Sequence, residues 1–163
     1  MPTIAPGRTT HHYEGELVVF LIGMTINRLW RPDQWLPAFL AMPRMLRELS
    51  QDPDSGFLGY RVTLEGRNPT IIQYWSSLEK LYAYASARDA EHRPAWTAFN
   101  GRARRAPGAV GVWHETYTVS SAESIYSGTP EMGLAKFTER VPVAARGDAA
   151  RQRLAAGWTR SHS

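Results

Sequence analysis

The chain has 163 residues, 43% of them apolar, and six tryptophans, enough for one domain with a real core. It contains no cysteine, which excludes disulfides, cysteine zinc sites, iron–sulfur clusters, thiolate-ligated haem and a cysteine nucleophile. The formal charge of +4 is a weak argument for nucleic acid, because much of it sits in a tail where Arg146, Arg151, Arg153 and Arg160 face Asp148 alone.

Residues 1–14, rich in Pro, Thr, Gly and His, read as a flexible arm, and residues 141–163 as a basic flexible tail. A domain over residues 15–140 lies between them. No apolar run approaches the roughly 20 residues of a membrane span. The segment from Arg8 to Glu16 is too polar for a secretion signal. The expectation is a cytoplasmic protein with neither a membrane nor a nucleic-acid partner.

The first strand is expected over Leu17–Ile26, apolar on both faces and therefore central in a sheet. A helix follows, with Asp33 as N-cap and Pro37 in its first turn. Phe39, Met42, Leu46 and Leu49 form its buried stripe, and Pro43 should kink it. Two strands, Phe57–Glu65 and Thr70–Trp75, are joined by a turn at Gly66-Arg67-Asn68-Pro69.

Ser76-x-x-Glu79 reads as a capping box that starts a second helix, with Leu78, Leu81, Tyr82 and Ala85 inward. A further helical stretch covers about Glu91 to Gly101, where His92, Trp96 and Phe99 fall on one face. Arg102–Gly108 reads as a loop. Val110–Val119 then forms a long strand and Ser124–Ser127 a short one. The order β-α-β-β-α-β with an added strand is the split βαβ, or ferredoxin-like, α+β arrangement. One helical layer covers one sheet face. Two sheets packed in a homodimer would cover the other.

His92 and His114 are the candidate chemical residues, since imidazole moves protons near neutral pH and ligates iron. His92 is either a base, a haem ligand, or an imidazole packed on Trp96 at a helix start. In the strand, period two puts His114 on one face and Glu115 with Tyr117 on the other. His114 and Glu115 are therefore no direct dyad, and an inward Glu115 would need a partner such as an arginine. Tyr74, Tyr117 and Tyr126 are possible hydrogen-bond donors to a carbonyl or phenolate, and Arg28 and Arg44 possible anion clamps. A non-haem metal could draw only on His92, His114 and Glu115. No P-loop, dinucleotide fingerprint or serine-hydrolase motif is present.

Phe20-Leu21-Ile22-Gly23-Met24, Met42-Pro43-Arg44-Met45-Leu46, Gln73-Tyr74-Trp75-Ser76-Ser77, His92-x-Pro94-Ala95-Trp96 and Trp113-His114-Glu115-Thr116-Tyr117 together resemble one family. It is the monooxygenase-like group related to the fumagillin-pathway monooxygenase, within the dimeric α+β barrel superfamily. The likeness spans about residues 17–135. It implies a homodimer and a ligand cavity between the sheet and the second helix. It also implies either cofactor-free oxygenase chemistry or haem b. In the haem-degrading branch the axial histidine follows a Trp-x-Ser strand end, and Trp75-Ser76-Ser77 with His92 is similar.

On that resemblance the catalytic candidates are His92, His114, Glu115 and Tyr117. The haem candidates are His92 as iron ligand, with Trp96 and Trp75. The function expected is oxidative tailoring of a small hydrophobic or aromatic metabolite. The alternative is a non-catalytic dimer that binds haem or a hydrophobic ligand.

Overall fold

A strand with no polar side needs neighbours along both edges and cover on both faces, and this one is an interior strand. A computed structural model describes residues 3–87 and 92–156, without the side chains of residues 92, 93, 95 and 96. The chain divides into two compact units. One is Val19–Tyr117, and the other comprises the described residues of Met1–Val18 and Thr118–Ser163.

The first unit contains β2 (Val18–Ile26), α1 (Pro32–Gln51), β3 (Phe57–Glu65), β4 (Asn68–Trp75), α2 (Leu78–Ser86), α3 (His92–Arg105) and β5 (Val110–Thr118). Its four-stranded sheet has the order β3-β4-β2-β5, the ferredoxin-like order, with β2 inside. β3 and β4 form an antiparallel hairpin whose loop is only Gly66-Arg67. Gly66 takes φ +61°, which a tight two-residue turn requires at its first position.

The hairpin carries one irregularity with consequences for the site. Phe57 pairs with Trp75 and Gly59 with Tyr74, so Leu58 is an extra residue, a β-bulge. The bulge reverses parity along β3. Phe57 and Tyr60, three positions apart, consequently lie on the same face, with ring centroids 6.2 Å apart.

The α1 helix runs unbroken through Pro37 and Pro43. Its N-cap position is Arg31, not Asp33 as the sequence suggests, and Pro32 takes the first turn, where a missing N–H costs little. Asp33 instead accepts two 2.8 Å hydrogen bonds from the Arg31 guanidinium and one from Gln34. These bonds hold its carboxyl well below the usual carboxylate range.

Along α1, Leu46 and Leu49 are buried as expected, whereas Phe39 is 48% exposed. In α2 the cap is Ser77, one residue later than the capping box suggested; its hydroxyl accepts the Lys80 N–H at 3.1 Å. Leu81 is buried there, but Tyr82 and Ala85 are exposed. α3 continues to Arg105, so Arg102, Arg104 and Arg105 form its last turn, not a loop. Positive side chains complement the negative end of the helix there.

In the second unit the sequence expectation needs correction. Residues 8–12 are not a flexible arm: they form β1 (Arg8–His12), the middle strand of a sheet ordered β6-β1-β7, with β6 at Tyr126–Ser127 and β7 at Glu139–Pro142. Nor is the described part of residues 141–163 a flexible tail, since it contains α4 (Ala150–Ala156). Polar bonds hold these elements. The Thr10 hydroxyl donates to the Ser124 carbonyl at 2.7 Å. Arg153, buried, pairs with Glu123 and donates to the carbonyls of Gly147 and Asp148. Among the described residues no helix is long and apolar enough to cross a membrane.

His11 is buried here and its Nδ1 lies 2.7 Å from the Ser124 Oγ. That oxygen also accepts the His11 backbone N–H and pairs with the Thr10 hydroxyl at 3.3 Å. Burial lowers the His11 pKa; Arg146 and His12 act in the same direction and Glu123 opposes them. A depressed histidine pKa contributes stability above the ordinary value of 6.5 and loses it as the pH falls below that value. The unfolding midpoint should therefore fall between about pH 7.5 and about pH 5.5, and His11→Gln should flatten that fall. An equal slope in both proteins would contradict this. In the first unit, a Cβ at Gly23 would fall inside the Trp113 indole. Gly23→Ala should cost about 1–3 kcal/mol in a denaturant melt, with part recovered when Trp113→Leu is added.

Candidate functional site

A cavity of about 350 Å³ in the first unit lies between its sheet and α1. Strand alternation decides which residues reach it. On β2, Ile22 and Met24 point inward; on β3, Tyr60 and Val62; on β4, Pro69 and Ile71; and on β5, Val112. The α1 helix closes the opposite side with Phe39, Met42, Met45 and Leu46, and Phe99 comes from α3. The volume falls within the range of small-molecule sites. Phe39 and Val62, 48% and 56% exposed, mark its mouth.

The chemistry of this lining is uniform. Among the described residues no charged side chain reaches it, and Tyr60 is the single polar one. A charged group placed against the described lining would lose its water without a counter-charge. The methionines read as core packing on α1 are cavity wall. Their flexible thioethers suit a surface that adapts to a ligand.

The sequence candidates are distributed elsewhere. Val112 and His114 share the cavity side of β5, but His114 stands about 7 Å further along the strand and does not line the cavity. It is exposed and packs against Phe20, with ring centroids 5.7 Å apart. Glu115 and Tyr117 project from the other face, exposed. Instead of an arginine, Glu115 has Tyr117 as partner: the phenol donates to Glu115 Oε2 at 2.7 Å. That hydrogen bond and the carboxylate charge raise the Tyr117 pKa.

Trp75 is fully buried, donates from Nε1 to the Gln73 Oε1 at 3.0 Å, and packs edge-on against Phe57. It too lies outside the cavity lining. Tyr74 is buried, and the Tyr126 hydroxyl accepts the Ala135 N–H.

The side chains of His92 and Trp96 lie outside the described residues, although position 92 is within α3. Among the described residues no imidazole lines the cavity, so none of them offers an axial ligand to a haem iron there. No group of three His, Asp or Glu among them is placed to hold a metal ion. Tyr60 was missed by sequence reading. Strict alternation from Phe57 gives it the wrong face, and only the bulge at Leu58 turns it inward.

The chain is similar in structure to several solved proteins. Aldoxime dehydratase OxdRE, solved with butyraldoxime, shares 15% identity over 69% of this chain, with a TM-score of 0.56; the match spans 34% of that enzyme. SnoaB, a cofactor-independent oxygenase from Streptomyces nogalater, gives a TM-score of 0.42 at 13% identity, over 66% of this chain and 97% of that one. A protein of unknown function from Bacteroides thetaiotaomicron gives 0.47 at 10% identity, over 64% and 99%. No curated protein matches the sequence. The model of the family described as "Monooxygenase af470-like" matches residues 17–134, which takes in all four strands and the three helices of the cavity-bearing unit, and the chain belongs to that family.

Proposed function

We propose that the chain is an oxidative tailoring enzyme of monooxygenase type, acting on a small hydrophobic or aromatic metabolite held beneath α1. The observation that carries this reading is the 350 Å³ cavity, whose described lining is apolar but for Tyr60 and carries no charge. In such surroundings an anion formed on the substrate is stripped of water and its electrons are more available to dioxygen.

The cofactor-free route needs only a base. A proton leaves a hydroxyarene O–H, and the ring carbon para to the oxygen bonds to O₂. The peroxide then takes up the proton, and loss of water leaves a quinone. One oxygen atom enters the product and the other leaves in water. His92 is the proposed base, since it lies two turns before Phe99 on the same α3 face. His114, further along β5 on the cavity side, is the second candidate, while Glu115 and Tyr117 would contribute from the other face. Were haem b bound instead, His92 would be the residue to hold its iron.

Exposed Leu36 and Leu40 on α1, with Val62 and Leu64 on β3, support a homodimer that would cover them. Light scattering should give twice the chain mass; a monomer at micromolar concentration would count against pairing. The oxygenase reading predicts that 1-naphthol is converted to 1,4-naphthoquinone with one O₂ consumed per quinone formed. Met42→Trp, which fills the cavity, should cut the rate at least tenfold while the melting temperature holds. Undiminished turnover in Met42→Trp would place the chemistry elsewhere. Binding of 1-naphthol without oxygen uptake would favour a non-catalytic carrier.

A further inference from the structure

We propose that Tyr60 sets the specificity of this cavity by donating its phenolic hydrogen to one acceptor oxygen, of a hydroxyarene or a ketone, on an otherwise apolar ligand. The proposal rests on the reading of the cavity as the substrate site and adds to it a ligand class and an orientation. Among the described residues Tyr60 is the single polar side chain on the wall, and its hydroxyl makes no hydrogen bond to any of them.

Its ring is held in place. Phe57 stacks on it, with the planes at 24°, and the bulge at Leu58 is what brings the two rings to one face. Directly across the ladder stands Gln73, but its carboxamide oxygen is already engaged by the Trp75 indole. A fixed phenol with an unused hydrogen in an apolar enclosure is a site for an acceptor. The Tyr60 hydroxyl is not among the buried unpaired atoms and so stays open to water. A bound hydrocarbon would strip that water from it, whereas a ligand of the same shape with one acceptor oxygen replaces it.

The ligand class follows from the donor set. One donor accommodates one buried acceptor; a second polar group on the ligand would have to reach the mouth, near Phe39 and Val62, to meet water. The class is therefore a largely cyclic hydrocarbon with a single oxygen function, a hydroxyarene or a ketone, its oxygen at Tyr60 and its body under α1.

The test is calorimetric titration of the full chain with 1-tetralone and with tetralin, which share a shape and differ in the carbonyl. Tyr60→Phe keeps the ring and its stacking. It should lower the tetralone-to-tetralin affinity ratio by about 2- to 10-fold, with tetralin affinity and melting temperature unchanged. The same ratio in wild type and Tyr60→Phe would overturn the role of Tyr60 and leave the cavity reading intact. If neither probe binds the wild type, or if Met42→Trp binds both as tightly as the wild type does, the cavity reading itself fails and the Tyr60 assignment with it.

Discussion

A strand that is apolar on both faces needs strands along both edges and packing above and below. β2 meets that demand by lying between β4 and β5, and the helices that follow in sequence can then settle on one side of the sheet. Each neighbouring strand inherits a fixed inside and outside from this placement, because side chains alternate with period two. The cavity follows from that parity. Ile22, Met24, Ile71 and Val112 share a face, and α1 spans them without filling the space beneath it.

The same parity explains why the polar candidates separate. His114 goes to the helix side of β5 while Glu115 and Tyr117 go to the other, where they satisfy each other. A site built from all three would need a break in the strand. The break in this sheet occurs instead on β3, where one extra residue turns Tyr60 inward. An apolar chamber whose described lining holds one phenol would raise the energy of a bound anion and fix where its oxygen lies. Both effects suit a reaction in which the substrate itself reduces dioxygen.

How much of this could be read from the sequence varies with the physical signal. Long elements with strong periodicity were legible: β2, β3, β4 and β5 fall within two residues of expectation, and their order identifies the split βαβ arrangement. The second unit was hidden, because Thr9, Thr10, His11 and Arg153 are buried through hydrogen bonds and ion pairs, which leave no hydrophobic pattern. The lining of the cavity was half visible. Phe39, Met42 and Leu46 stood out as a stripe, yet a stripe that seals a core and one that walls a cavity have the same spacing. Tyr60 gave no signal at all, since its direction depends on a bulge that no local motif announces.

The central claim is that small apolar molecules occupy the space between α1 and the sheet. The chain's five methionines provide a direct probe of it. Met24, Met42 and Met45 line the cavity, while Met132 is exposed and lies outside it. With the methionine methyl groups labelled with carbon-13, titration with tetralin followed by NMR should shift the first three resonances together, with one saturation curve, and leave Met132 in place. Saturable binding that leaves Met24, Met42 and Met45 unmoved would contradict the account and put the ligand elsewhere on the molecule.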